Sequence, residues 1–134
     1  MQEARNTAVV GAFSWDRSRL KEILEKEGFK ILKEASSVNQ ILKVINRLSD
    51  IEFVFSELEL KTGDGLELAS VLINRYKINV AVVSRLLRHS SDILLKELAT
   101  MNVRLISPMP VTIREIERFV QAVKNISCNN INTI

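Results

Sequence analysis

The side chains that most often carry catalysis are scarce in this sequence of 134 residues. It contains a single histidine, His89, and a single cysteine, Cys128. One histidine excludes metal sites of the two-histidine kind, and one cysteine excludes both an intramolecular disulfide and a zinc site built from several cysteines. His89 follows Arg88 at the start of a predicted helix. An exposed position on the surface is a simpler interpretation for it than a catalytic role.

Polar side chains instead stand where apolar runs end. Glu57, Ser84 and Ser107 each lie at or near the end of a short apolar, β-branched run, and Gly11-Ala12 follows the run AVV. A carboxylate and two hydroxyls can act together only if the fold brings these ends to one place. The order of the elements that carry them decides this.

Five apolar runs recur at near-even spacing, and each predicts a strand. Several lack clean alternation, which is typical of strands buried on both faces in a parallel sheet. The predicted strands are Ala8–Phe13, Phe29–Leu32, Phe53–Leu58, Val80–Ser84 and Val103–Ser107.

Segments with a helical period separate these runs. In the first, Leu20, Ile23 and Leu24 recur at spacings of three and four. Ser14 or Asp16 is a candidate cap at its start, and Gly28 a candidate stop. Four more segments follow, with these apolar positions: Ile41, Ile45 and Leu48; Leu68, Leu72 and Ile73; Leu94, Leu95 and Leu98; Ile113, Ile116, Val120 and Val123.

Alternation of strand and helix predicts one α/β domain, a three-layer, doubly wound (βα)5 sandwich around a parallel sheet. Ligands of such sheets bind at the carboxyl ends of the strands, so function is expected just after Val10, Ser56, Val83 and Ile106. No glycine-rich phosphate loop follows the first strand. Nucleotide binding of the Rossmann or P-loop kind therefore has no support.

From about residue 7 to residue 125 the pattern resembles the CheY-like receiver domain of response regulators. The strongest match is EFVFSELELKTGDGLEL, where Glu57 stands seven residues before Asp64-Gly65, as the family's phosphoacceptor Asp does. Ser107-Pro108 falls where the family has Lys-Pro. The resemblance implies a five-stranded sheet in the order 2-1-3-4-5 and a role in two-component or phosphorelay signal transduction.

The resemblance also implies that the phosphoacceptor pocket is degenerate. Gly11 and Ala12 replace the acidic pair that holds the divalent cation, Glu57 replaces the nucleophilic Asp, and Ser107 replaces the Lys. Of the family's pocket groups only the switch hydroxyl remains, as Ser84. We therefore predict a pseudo-receiver with no enzymatic activity, no metal and no cofactor, which acts by protein-protein interaction.

Two alternatives stay open. Glu57 is a candidate unconventional phosphoacceptor, and its fixed charge is also a candidate imitation of the phosphorylated state. The second alternative is weak nucleic-acid binding through the basic last third of the chain. Residues 1–84 hold 12 basic and 12 acidic residues, whereas residues 85–134 hold 7 basic and 4 acidic. Few aromatic residues interleave with these cations, so nucleic acid is the less favoured partner.

A protein partner or a second copy of the chain is expected on the face formed by the fourth helix, fifth strand and fifth helix. Arg104 stands where the family has an aromatic switch residue, and we expect its guanidinium to point outward. Trp15 is expected to pack as core over the vacated pocket. The candidate interaction residues are Arg88, Lys96, Arg104, Arg114 and Arg118.

The domain is predicted to span residues 1–126, with 127–134 as a polar tail or the start of a linker to an output domain. The N-terminal residues lack the pattern of a signal peptide, and no run of apolar residues is long enough to span a bilayer. A reducing cytoplasm, with no membrane contact, is therefore the expected location.

Overall fold

The computed structural model describes residues 5–47, 50–60, 64–84, 96–98, 100–108 and 111–132, with side chains described up to residue 123 except at 108. Strands and helices alternate along these residues. The strands are β1 (Arg5–Val10), β2 (Phe29–Ala35), β3 (Phe53–Glu57), β4 (Asn79–Ser84) and β5 (Leu105–Pro108). The helices with described bounds are α1 (Ser14–Lys26), α2 (Val38–Arg47), α3 (Gly65–Asn74) and the C-terminal helix (Ile113–Asn132).

All five strands form one parallel sheet in the order β2-β1-β3-β4-β5. The prediction of a five-stranded sheet with the order 2-1-3-4-5 is confirmed. In this order β3 lies in the middle, with β1 on one side and β4 on the other. A side chain at the end of β3 can therefore reach groups at the ends of both neighbours, which are about 5 Å away on either side.

Two apolar clusters fill the faces of the sheet. One contains residues of α2 and α3, such as Ile41 and Leu72, together with Leu98. The other joins α1 to the C-terminal helix through Leu20, Leu24 and Phe119. Because each face of the sheet is covered by helices, its strands are buried on both sides, as their continuous apolar runs predict.

The predicted helix caps are only partly confirmed. Gly28, just past α1, has a φ of 92°, a left-handed conformation that favours glycine and ends the helix. The sequence also offers Ser36 or Ser37 as the cap of α2, and Ser37 accepts a hydrogen bond from the Gln40 amide at 3.3 Å, as a cap does. At α1, however, neither Ser14 nor Asp16 is the cap. Phe13 is the N-cap residue and makes no side-chain capping bond, so the prediction was wrong by one residue or more.

Element bounds differ from the prediction at several ends. The strand β1 begins at Arg5 and ends at Val10, because pairing with β2 continues through polar residues and stops at Gly11. The strand β2 extends to Ala35. Of the apolar positions predicted for the fourth helix, Leu94 and Leu95 lie outside the described residues. Residues 96–98 and 100 are helical, and Leu98 is buried.

The backbone of the C-terminal helix continues to Asn132, through most of the segment expected to be a tail. The domain boundary at residue 126 stays a prediction. Among the described residues, the helices are all too short or too polar to cross a membrane.

Candidate functional site

The predicted pocket positions form one row across the carboxyl edge of the sheet. Val10 pairs with Ser56, so Gly11 stands level with Glu57. Glu57 pairs with Val83, and Val83 pairs with Ser107. Ser84 lies one residue beyond Val83 at the end of β4. The structure therefore brings the ends of β1, β3, β4 and β5 together, as the alternation of elements predicts.

The carboxylate of Glu57 is turned toward the first loop. Glu57 is only 6% exposed, and its Oε2 accepts a hydrogen bond of 3.1 Å from the Ala12 amide. A Cβ atom built on Gly11 would lie 2.6 Å from that same Oε2. The acid of β3 therefore occupies the space that a side chain at position 11 would need.

Arg17 holds the other side of this loop. Its Nη1 donates to the Gly11 carbonyl at 2.6 Å, and its Nε lies 3.5 Å from the Glu34 carboxylate. Lys21 approaches the same carboxylate of Glu34 at 3.8 Å. The backbone of Gly11 and Ala12 is thus fixed from two sides, by a guanidinium on its carbonyl and by a carboxylate on its next amide.

A close approach between backbones shapes the loop after β3. A Cβ atom on Gly65 would meet the Glu57 carbonyl oxygen and the Leu58 Cα at 2.6 Å, so only glycine fits where α3 begins. Asp64 caps that helix by accepting the Leu66 amide at 2.9 Å. The Asp-Gly pair therefore has a structural reason of its own, independent of any chemistry at Glu57.

Glu59 belongs to the site, although the sequence did not single it out. The hydroxyl of Ser84 donates a hydrogen bond to the Glu59 Oε1. Ser84 is fully buried, whereas Glu59 is partly exposed in the loop that follows β3. A carboxylate two residues after a candidate nucleophile is the only sequence signal, and it does not specify which side chain the carboxylate meets.

Ser107 lies too far away to serve Glu57. Two strand spacings, or about 10 Å, separate β5 from β3. A serine hydroxyl is attached to the first side-chain carbon and is far too short to cross that distance. Ser107 is 1% exposed within β5. A lysine from this position has the length to reach across β4 and the charge to neutralise an anion, and serine has neither.

The receiver family that the sequence resembles uses a divalent cation, and the residues at this edge of the sheet do not fit one. Magnesium requires several oxygen ligands in an octahedral arrangement. Gly11 and Ala12 offer no side-chain oxygen, and the Glu57 carboxylate already accepts the Ala12 amide. Among the described side chains there is no group of three or more potential metal ligands.

The aromatic side chains beside the pocket are exposed. Trp15 is 58% exposed and Phe13 is 56% exposed, and their rings meet edge to face with centroids 6.4 Å apart. The prediction that Trp15 packs as core was therefore wrong. Asp16, which was expected to lie at a helix start as a cap, is buried at 4% exposure within the first turn of α1.

The candidate interaction cations are placed unevenly. Arg114 and Arg118 are exposed on the C-terminal helix, four residues apart and so on the same side of it. Lys96 is exposed as well. Arg104 lies just before β5 and is half-buried, with its amide donating to the Val80 carbonyl at 2.9 Å. Arg88 lies outside the described residues.

The sheet order, the helices on both faces and the polar row at the carboxyl edge are those of the CheY-like receiver fold. The chain is similar to the receiver domain of a response regulator from Methylobacillus flagellatus, with 19% identity, a TM-score of 0.75, and coverage of 90% of this chain and 99% of that one.

Two further receiver structures match over almost their whole length. A signal receiver domain of an HD domain-containing protein from Pseudomonas fluorescens has 15% identity and a TM-score of 0.77, and the match covers 92% of this chain and 97% of that one. A receiver domain of a modulated diguanylate cyclase from Desulfovibrio desulfuricans has 15% identity and a TM-score of 0.79, with coverage of 95% and 99%. No family model and no curated protein matches the sequence. At these identities the similarity defines the fold.

Proposed function

We propose that this chain is a regulatory domain of two-component or phosphorelay signalling that does not accept phosphate and acts by binding another protein. The fold supports the signalling role, since the similar structures are receiver domains. The observation that carries the loss of phosphotransfer is the position of the Glu57 carboxylate. It accepts the Ala12 amide and fills the space beside Gly11, where a cation and its ligands would have to lie.

Phosphoryl transfer to a carboxylate needs positive charge to offset the phosphoryl oxygens, because positioning and electrostatics supply nearly all of the catalysis. This pocket lacks the cation ligands and the lysine. Its described edge instead presents two carboxylates, those of Glu57 and Glu59. The alternative of Glu57 as a phosphoacceptor is therefore disfavoured.

The working surface in this proposal is the face that includes β5 and the C-terminal helix. It carries the exposed Arg114 and Arg118, which suit a partner with acidic groups. The shared receiver fold supports a role in a larger regulator, in which an output domain or a separate protein reads this face. Nucleic acid is the weaker candidate partner, because no aromatic residue is exposed next to these two arginines among the described residues.

The proposal is tested by incubating the purified chain with acetyl phosphate and magnesium and measuring the intact mass. We expect no phosphorylated species for the wild type or for Glu57→Asp. The substitution restores the nucleophile, but the cation ligands and the lysine are still absent. Restoring labelling is expected to require Gly11→Asp, Ala12→Asp and Ser107→Lys in addition. A phosphorylated wild-type chain, with the group mapped to Glu57, would show a working phosphoacceptor and reject the proposal.

A further inference from the structure

The ends of α2 and α3 meet at the edge of the sheet where its strands begin, opposite the pocket. Tyr76, just past α3, donates a hydrogen bond of 2.7 Å from its hydroxyl to Oδ1 of Asn46, in the last turn of α2. Exposed cations are the direct sequence neighbours of both residues: Arg47 follows Asn46, and Arg75 and Lys77 flank Tyr76. One hydrogen bond therefore brings three cations from two segments together. These five residues form the α2–α3 corner.

The two segments that meet at this corner carry no negative charge of their own. The sequence has no acidic residue at positions 35–49 or 68–84. Asp50 and Glu52, in the connection from α2 to β3, are the nearest acids along the chain. No ion pair joins the three cations of the corner to another residue that the structure describes. Their charges are therefore available to a partner.

The exposed side chains of the α2–α3 corner are hydrogen-bond donors. Because Oδ1 of Asn46 accepts the Tyr76 hydroxyl, the NH₂ group on the other arm of this amide can donate to a further acceptor. Ammonium and guanidinium groups offer N–H donors and no acceptor. A matching ligand therefore has several acceptor oxygens and a negative charge.

The ring of Tyr76 distinguishes between two classes of anionic partner. Proteins bind single-stranded nucleic acid by stacking its bases on aromatic rings as well as by positive charge. The Tyr76 ring is only partly exposed and packs against the core cluster of α2 and α3. The guanidinium of Arg75 also lies over it, 5.6 Å from the ring centroid. This ring is a poor platform for a base, so the corner suits carboxylates better than nucleotides.

Helix ends alone do not account for all three cations. Positive charge near the C-terminus of a helix is stabilising, which is a sufficient reason for Arg47 and Arg75. Lys77 lies beyond α3 and has a φ of 57°, a left-handed conformation that glycine or asparagine adopts with less strain than lysine. The backbone therefore gives no reason for lysine at this position, whereas a need for exposed charge does.

We propose that the α2–α3 corner is a second interaction surface, which binds an acidic segment of another protein. Packed helices lie about 8–10 Å apart, and about three residues of an extended chain span that distance, so carboxylates of one short segment can reach both helix ends. The corner and the C-terminal helix pack on opposite faces of the sheet. This inference therefore goes beyond the proposed function and does not depend on the loss of phosphotransfer.

The probe for this surface is a fluorescein-labelled peptide of about ten residues in which glutamate and glycine alternate, so that carboxylates recur about every 7 Å along an extended chain. Fluorescence anisotropy measures its binding to the intact chain. We expect saturable binding at about 50 mM salt that weakens as salt is added, because dissolved ions screen the charges. The same peptide with glutamine in place of glutamate is expected not to bind.

Two variants test the corner with little disturbance of the fold. Arg47→Ala, Lys77→Asn removes one cation from each segment and places residues there that suit a helix end and a left-handed conformation. It is expected to weaken peptide binding about tenfold. Asn46→Asp keeps an acceptor for the Tyr76 hydroxyl but replaces the amide donors with a carboxylate, and is expected to weaken binding at least about fivefold.

The matched control is Arg19→Ala, Lys33→Thr, which removes two exposed cations from α1 and β2 and is expected to weaken binding less than about twofold. Lys77→Asn alone separates binding from folding. It is expected to weaken binding about threefold and to unfold at the same urea concentration as the wild type, or a higher one.

Four results would overturn the inference. The wild type could fail to bind the glutamate peptide at low salt, or the control variant could lose as much affinity as the corner variant, so that net charge alone governs binding. A single-stranded oligothymidylate of the same length could displace the peptide at a lower concentration than unlabelled peptide does, which would make nucleic acid the partner. Finally, Lys77→Asn could unfold more readily while binding the peptide as the wild type does, which would assign this lysine to the fold.

Discussion

At the scale of single residues, Gly11 and Glu57 are complementary. Gly11 lacks a side chain at the point where the Glu57 carboxylate needs room, and a Cβ there would lie 2.6 Å from Oε2 and 2.9 Å from Cδ. Its φ is not in the left-handed region, so the position requires glycine for space and not for backbone conformation. The sequence predicts that neither residue serves a cation, but it does not predict that one makes room for the other.

Gly11→Ala is therefore expected to destabilise the chain by about 1–2 kcal/mol, because the new methyl group displaces the carboxylate from the Ala12 amide. In a Glu57→Asp background the carboxylate is one methylene shorter, and the same substitution is expected to have less than half that effect. Urea unfolding of the four chains gives the coupling energy. As a contrast, Gly65→Ala meets backbone atoms, and its effect should be equal in both backgrounds. Additive effects at positions 11 and 57 would show that the two residues do not share this space.

The exposure of Trp15 follows from the start of α1 at Ser14. At about 100° per residue, Trp15 lies about 140° from Leu20 and about 180° from Leu24 around the helix, whereas Asp16 lies only about 40° from Leu20. The buried residues of α1 are Asp16, Leu20 and Leu24. The sequence-based interpretation placed Trp15 in the core because it lies close to the pocket in the sequence. Its exposure is instead determined by the side of α1 on which it lies.

Trp15 is the only tryptophan, so its fluorescence reports on this position alone. We expect red-shifted emission in the native chain and acrylamide quenching close to that of the urea-unfolded chain. A control variant, Phe29→Trp in the Trp15→Phe background, places the indole at a position that is 3% exposed and should be strongly protected. A blue-shifted, poorly quenched Trp15 at low protein concentration would contradict the exposed position.

At the scale of elements, most of the fold could be predicted, and the ends of elements could not. Apolar runs predict every strand, because a strand that is buried on both faces has no polar side to interrupt the run. The ends depend on neighbours instead. Pairing with β2 extends β1 to Arg5. The sequence does not predict this extension, because Arg5 and Asn6 are polar and lie outside the apolar run. The N-cap of α1 at Phe13 shows the same limit, since two better capping residues, Ser14 and Asp16, follow it.

This uncapped start gives an engineering prediction. Phe13 has extended backbone angles, φ −110° and ψ 131°, which suit a capping residue, but its side chain offers no acceptor. Phe13→Asp supplies one and also places negative charge at the helix start, a gain of about 1 kcal/mol. Loss of the surface contact with Trp15 offsets about half of this gain. The net increase in the free energy of unfolding is expected to be about 0.5 kcal/mol, measured by urea titration.

Ser14→Ala is the matched control for this substitution. Because Ser14 is the first residue of the helix and not its cap, we expect its removal to change the free energy of unfolding by less than about 0.5 kcal/mol. A loss of 1 kcal/mol or more would show that Ser14 caps α1 in solution, and would restore the original expectation from the sequence.

At the scale of the whole molecule, the carboxylates of the pocket and the two exposed arginines of the proposed working surface lie on different elements. The pocket lies at the carboxyl edge and holds the hydrogen-bonded carboxylates of Glu57 and Glu59, whereas Arg114 and Arg118 lie on one side of the C-terminal helix. The parallel sheet aligns the pocket positions at the ends of its strands. The alternation of strands and helices in the sequence was therefore sufficient to predict that these positions lie together. Glu59 was missed because its contact with Ser84 depends on the path of a loop, which neither hydropathy nor spacing determines.

Opposite charge should govern binding on the C-terminal helix. Arg118 is 68% exposed in its side chain and lies 4.0 Å from the Glu115 carboxylate, a pair that contributes little in water. Both arginines are therefore available to a partner or to a second copy of the chain. Half-buried Arg104 is a poorer position for charge reversal, because a buried carboxylate would destabilise the fold itself.

We therefore expect the Arg114→Glu, Arg118→Glu variant to associate several-fold more weakly than the wild type at about 50 mM salt. The difference between the two chains should be smaller at about 300 mM salt, because the added ions screen the charges. Sedimentation velocity over a range of protein concentrations measures association with a second copy. Lys30→Glu, Lys43→Glu makes the same change in net charge at exposed positions on β2 and α2, and should leave association unchanged. Equal loss in both variants would mean that net charge, and not this helix, controls association. A wild-type chain that stays monomeric throughout would exclude a second copy and leave a different protein as the occupant of the face.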